Sequence, residues 1–165
     1  MKDEIVAGLK EAMLAEKAGI EFYKTAAERT VDERGREVFT VLADEEAKHL
    51  EYLKRQFGHL LTGTEFEPLK VETQILDKPG PIFSSALVSQ LNNAHWEMTA
   101  LAVGMALEQA AIRRYQELAG KTEDRIAQEF FLSLVRWEES HARALEKEYE
   151  RLKESYWEQA QFAPF

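Results

Sequence analysis

Glu16-Lys17-Ala18-Gly19-Ile20-Glu21-Phe22-Tyr23 sets one acid, Glu16, on an otherwise apolar helical stripe, and the chain repeats the pattern as Glu108-Gln109-Ala110-Ala111-Ile112-Arg113-Arg114-Tyr115. In both copies a Glu-x-x-His follows thirty positions after the first Glu, as Glu46 with His49 and as Glu138 with His141. The same shift of 92 positions superimposes Leu9, Met13, Phe39, Leu42 and Leu53 on Leu101, Met105, Phe131, Leu134 and Leu145. The repeated unit is a helix pair. Two such hairpins predict an all-α four-helix bundle.

Working outward, Ile5, Leu9, Ala12, Met13, Ile20, Tyr23 and Ala27 recur every three or four positions and predict a helix from Asp3 to about Arg29. A break at Thr30-Val31-Asp32 precedes a second helical pattern through Val38, Leu42 and Leu53, ending around Gly58. The stretch 62–84 holds Gly63, Pro68, Pro79, Gly80 and Pro81 and reads as a long crossover. By this reading it runs along the bundle and lets the third helix start at the same end as the first. That helix begins between Ser85 and Ala94, with Asn92-Asn93 as a cap or kink, and Gly120 stops it after Leu118. The fourth starts at Thr122 or Asp124 and reaches Trp157, with Phe162-Ala163-Pro164-Phe165 as a short C-terminal extension. The expectation is a single domain over 1–165, with hairpins 3–58 and 85–157.

Composition narrows the function classes. A net charge of −9, from 30 acidic against 21 basic residues, disfavours nucleic acid as a partner, because a polyanion needs a basic face. With no cysteine there is no disulfide, thiolate ligand or Cys-held iron centre, so a metal would have to use Glu, Asp and His. No apolar run approaches membrane-spanning length, and no leader pattern precedes the first helix, so the expected setting is cytoplasmic and away from membranes.

The repeated polar residues interrupt apolar faces, and that is what makes them candidate ligands. Residues three apart on a helix project as neighbours, so Glu46 with His49, and Glu138 with His141, can bind one cation together. Glu16 and Glu108 can complete or bridge the site. Four carboxylates in one core repel and are costly to desolvate, whereas two divalent cations bring +4 against −4. Carboxylates with imidazoles suit iron, manganese or zinc, and only the first two are redox-active. A lone Glu-x-x-His in an acidic helix is usually a solvated pair; the duplication with an upstream Glu argues against that here. Tyr23 and Tyr115, two turns beyond Glu16 and Glu108, can hydrogen-bond a ligand carboxylate of a neighbouring helix, or serve as plain core aromatics. Glu37 and Glu129 rotate off the ligand face and are expected at the surface, and Glu45 and Glu139 are expected to point elsewhere. His59 and His95 are expected to be exposed or capping. Gly19, Gly104, Ala110 and Ala111 allow close helix packing, or leave room for a diatomic ligand.

The segments Ala15-Glu16-Lys17-Ala18-Gly19-Ile20-Glu21-Phe22-Tyr23, Ala43-Asp44-Glu45-Glu46-Ala47-Lys48-His49 and Trp137-Glu138-Glu139-Ser140-His141 resemble the rubrerythrin branch of the ferritin-like superfamily. The resemblance implies a ferritin-like bundle in which Glu16, Glu46, His49, Glu108, Glu138 and His141 ligate two irons and form the catalytic centre. It implies oxidation by hydrogen peroxide or dioxygen, as in oxidative-stress defence, followed by re-reduction. The family's rubredoxin-like cysteine domain is missing, so a separate electron-transfer protein would be the donor. The extra Glu that many rubrerythrins carry three residues after the third-helix ligand is Ala111 here, with Gly19 as its repeat partner, which points to the simpler six-ligand type. The alternatives are iron storage of the ferritin type, hydroxylation of an organic substrate, or a structural bundle holding zinc or nothing. The long crossover also permits exchange of a hairpin between two copies, a route to a homodimer.

Overall fold

The apolar stripe beginning at Ile5 winds helix α1 over Lys2–Arg29 and buries Ile5, Leu9, Ala12, Glu16, Ile20, Tyr23 and Ala27 along one face. The structure is a computed structural model that describes residues 2–69, 80–89 and 95–159. Acidic Asp3 and Glu4 in the first turn and Arg29 in the last complement the helix dipole. Helix α2, Glu33–Thr62, starts at Asp32, whose Oδ1 accepts from the Gly35 amide at 2.9 Å. It runs one turn past the expected stop. Gly58 stays within the helix, and the left-handed residue that ends it is Gly63 at φ 74°. A short helix α3, Ser85–Val88, precedes α4, His95–Lys121, which continues through Gly120. Asp124 caps α5, Arg125–Gln159, by accepting from the amides of Ile126 and Ala127 at 2.7 and 3.1 Å. The Asn92-Asn93 cap and the C-terminal extension fall outside the described residues.

Helix α1 packs on α2, α4 on α5, and α1 on α4, which gives the expected all-α, ferritin-like four-helix bundle with no strand among the described residues. One topological expectation is corrected. Gly8 near the start of α1 lies against Leu118 near the end of α4, and Thr30 just after α1 donates to Glu97 in the first turn of α4 at 3.3 Å. Helix α4 therefore begins where α1 finishes. A connection that leaves the end of α2 and traverses the bundle once can only arrive at that opposite end.

The apolar core has two parts, and the 92-residue shift carries one into the other. Tyr23, Ala27, Phe39 and Leu42 lie in one part with Leu101 and Leu145; Tyr115, Ala119, Phe131 and Leu134 lie in the other with Leu9 and Leu53. The crossover pins both. At its start Phe66 packs edge-on against Phe131 with centroids 5.9 Å apart, and at its finish Phe83 meets the repeat-equivalent Phe39 at 6.0 Å. Burying a Phe ring contributes roughly 1.5–3 kcal/mol, so each end of the connection is anchored on its own account. Polar clips add to this. Gln56 exchanges two hydrogen bonds with the Glu67 backbone at 2.8 and 3.0 Å, and Asp32 accepts from the Ser84 amide and hydroxyl. Asp32 thus both caps α2 and ties down the crossover. Asp32→Ala is expected to cost about 1–2 kcal/mol in urea unfolding; a loss below about 0.3 kcal/mol would show that the cap carries none of this. No helix among the described residues is long and apolar enough to cross a membrane.

Candidate metal centre

Between the two parts of the core lie the six repeated polar residues, all at most 4% exposed. Glu16 comes from α1, Glu46 and His49 from α2, Glu108 from α4, and Glu138 and His141 from α5. The antiparallel packing brings the middles of the four helices to one level. Their ligand-type atoms form two quartets, each with its atoms within 4.8 Å of one another: Glu16, Glu46, His49 and Glu138, and Glu46, Glu108, Glu138 and His141. Glu46 and Glu138 belong to both. Glu46 and Glu138 would thus be shared between two ions and Glu16 and Glu108 would each complete one quartet, because α2 and α5 direct the shared carboxylates between the two histidines.

Both imidazoles present Nδ1 to the carboxylates. His49 Nδ1 lies 2.9 Å from Glu138, 3.5 Å from Glu46 and 3.6 Å from Glu16. His141 Nδ1 lies 3.3 Å from Glu46, 3.4 Å from Glu138 and 3.8 Å from Glu108. The two rings stack with centroids 5.7 Å apart. Tyr23 on α1 donates its hydroxyl to Glu108 on α4, and Tyr115 on α4 donates to Glu16 on α1, so each tyrosine orients the carboxylate of the opposite hairpin. Both phenols are held well above their ordinary pKa by burial and by those neighbouring carboxylates, and stay protonated donors. Gly104 makes one of these contacts possible: a Cβ there would stand 3.2 Å from the Tyr23 hydroxyl and 3.0 Å from Leu145. A Cβ at Gly19 would meet Glu46 at an ordinary 3.6 Å, so that glycine is no steric necessity.

The electrostatics are those of a cation site holding protons. Burial, then the charge of Glu46, pushes Glu16 up to about 8, and burial with Glu46 and Glu138 raises Glu108 well above the carboxylate range. Burial also works against ionised Glu46, but hydrogen bonds from Glu16 and His141 and the charge of His49 hold it down at about 2. Glu138 is likewise held at about 2, burial being outweighed chiefly by the His49 charge. Burial alone would lower both histidines; the surrounding carboxylates raise them well above the usual imidazole value. Two imidazolium ions, two carboxylates and two carboxylic acids sum to zero. Even so, beyond these close approaches to one another, Glu16 Oε2, Glu46 Oε1, both Glu138 oxygens and both Nδ1 atoms have no well-aligned hydrogen bond among the described residues. A buried polar atom without a well-aligned hydrogen bond costs up to about 1–3 kcal/mol. Cations placed among them would satisfy all at once, and the oxygen and imidazole donors suit iron or manganese, so the residues fit the metal pair that the sequence implies.

Glu45 points away from the two quartets, as its place beside Glu46 implied, but what it meets there was not legible in the sequence. It is 1% exposed and lies 2.6 Å from His141 Nε2, on the side of the ring away from the cluster. One position before Glu46, it turns about 100° from that ligand and faces α5. A signal existed: the repeat aligns Glu45 with Trp137, a buried position. Glu139 does face outward, near Arg143, Glu37 and Glu129 are exposed, His95 is exposed, and His59 at the end of α2 contacts Thr64 and Glu67.

Four helices around buried glutamates and histidines define a ferritin-like carboxylate bundle able to hold metal. The family model for rubrerythrin matches residues 7–149, and again 99–164, and the chain belongs to the rubrerythrin family. No curated protein and no solved structure matches it.

Proposed function

We propose that this protein is a di-iron oxidoreductase that reduces hydrogen peroxide or dioxygen and is re-reduced by a separate electron-transfer protein. The observation that carries the reading is the pair of quartets sharing Glu46 and Glu138, which can hold two ions close enough to act on one oxidant. With peroxide, two Fe(II) would supply one electron each, the O–O bond would break, and two protons would be taken up to leave two waters. The chain's own residues have complementary roles. Glu16, Glu108, His49 and His141 release protons as cations enter, Tyr23 and Tyr115 keep two carboxylate oxygens aimed inward, and the flanking apolar cores exclude bulk water. The lack of cysteine makes the external donor part of the proposal. Manganese could occupy the same donors; zinc would leave the site without redox chemistry.

Two surface concavities of about 210 and 290 Å³ are lined by none of the six residues. Stopped-flow mixing of Fe(II)-loaded protein with peroxide, and separately with dioxygen, is expected to show oxidation faster than that of free Fe(II), with one peroxide consumed per two irons. Rates equal to buffer for both oxidants would overturn the proposal. Native mass is expected to give a homodimer; a closed many-subunit shell taking up iron far beyond two per chain would favour storage.

A further inference from the structure

The two quartets are alike in their ligand types but not in what stands behind them. Behind His141, Nε2 meets the buried carboxylate of Glu45 at 2.6 Å. Behind His49 the repeat puts Trp137, whose ring packs at 66° against the imidazole with centroids 4.6 Å apart, and His49 Nε2 makes no hydrogen bond among the described residues. Glu45 belongs to neither quartet, so it acts through His141 and not as a ligand.

From this asymmetry we infer that Glu45 makes the Glu46/Glu108/Glu138/His141 half-site the tighter of the two and the first to fill. The inference rests on reading the six residues as ligands. A carboxylate accepting from Nε2–H holds the ring in its binding orientation, keeps the proton on Nε2 once an entering cation has displaced the one on Nδ1, and makes Nδ1 a stronger donor. His49 has none of this. To bind through Nδ1 it must carry its proton on Nε2, a donor buried against an indole. An ion arriving at the metal-free centre therefore finds one half-site built in advance and the other not. Glu45 is a positioning residue for His141, and loading is ordered.

The test is titration of metal-free, full-length protein with Co(II) alone, followed by calorimetry and by the visible bands that report the ligand set. Wild type, Glu45→Ala, Glu45→Gln, His49→Ala and His141→Ala are compared, with far-UV circular dichroism checking that each metal-free chain is folded. Wild type is expected to bind two ions in two resolved steps. Glu45→Ala should weaken the tight step by about 10–100-fold and leave the weak step nearly unchanged. Glu45→Gln should recover part of that loss, since its amide oxygen still accepts from Nε2–H. His141→Ala should lose the tight step and His49→Ala should keep it. Two equal steps in wild type, a tight step untouched in Glu45→Ala, or its loss in His49→Ala would each overturn the inference while leaving the dinuclear centre intact. If Glu45→Ala does not fold, Glu45→Gln and the two histidine variants decide by the same criteria. Wild type binding fewer than two Co(II) would instead sink the dinuclear reading itself.

Discussion

Glu138→Ala is expected to hold no metal at either half-site, whereas Glu108→Ala retains one ion. Glu138 and Glu46 belong to both quartets, while Glu16 and Glu108 each belong to one. At an effective dielectric near 20 a carboxylate about 4 Å from a unit charge contributes about 4 kcal/mol, and roughly twice that for a divalent ion. Removing a shared carboxylate should therefore weaken both sites by several orders of magnitude. Elemental analysis after anaerobic loading with Fe(II) and desalting reads the result: two ions per chain in the wild type, none in Glu138→Ala and Glu46→Ala, one in Glu108→Ala and Glu16→Ala. If Glu138→Ala kept two ions, or Glu108→Ala lost both, the shared-carboxylate arrangement would be wrong.

The second large effect concerns heat and pH together. Metal binding to the native state alone stabilises it by about 4 kcal/mol per site at a thousandfold excess over Kd, so two sites give about 8 kcal/mol. For a chain of this size that corresponds to a rise in Tm of about 15–30 °C. The pH dependence should also change sign. Without metal, Glu16 and Glu108 are raised above the unfolded carboxylate value, and His49 and His141 above the unfolded imidazole value. The native state then binds more protons than the unfolded chain from about pH 4.5 upward, so this stabilisation is full below that pH. It is lost as pH rises, through about 8 for Glu16 and well above the ordinary imidazole range for the histidines. Glu46 and Glu138, held low, act in the opposite sense only between about pH 2 and 4.5, outside the neutral range. With metal bound, four protons have been displaced and metal affinity rises with pH. Between pH 5.5 and 7.5, thermal melts should fall for chelator-treated protein and rise for loaded protein at fixed metal excess. A metal-free Tm that climbs across that range, or a loading shift under 5 °C, would contradict the assignment.

Most of the bundle and the six polar residues were legible because both leave a periodic trace. Glu16 and Glu108 stand alone on apolar stripes, and the 92-residue shift doubles every signal. The tyrosines were half legible: the shared helix face was readable, but that Tyr23 reaches Glu108 and Tyr115 reaches Glu16 depends on how α1 and α4 pack. Glu45 escaped because helix periodicity says which way a side chain turns and not which helix it meets, although its alignment with Trp137 marked the position as interior. The end of α2 was misplaced for a local reason, since Gly58 can sit in a helix while Gly63 takes the left-handed conformation that stops one. The direction of α4 was read the wrong way round, because periodicity marks which face of a helix is buried and not which end of the bundle it starts from.

Each quartet draws three residues from its own hairpin and the fourth, Glu138 or Glu46, from the other. A lone hairpin is thus always one carboxylate short, while two identical hairpins facing each other would supply every donor twice over. The present chain can be viewed as such a pair fused end to end, and fusion is what allows its halves to diverge. In a symmetric pair, whatever stood behind one imidazole would stand behind both; only covalent joining lets a glutamate occupy one of those places and a tryptophan the other.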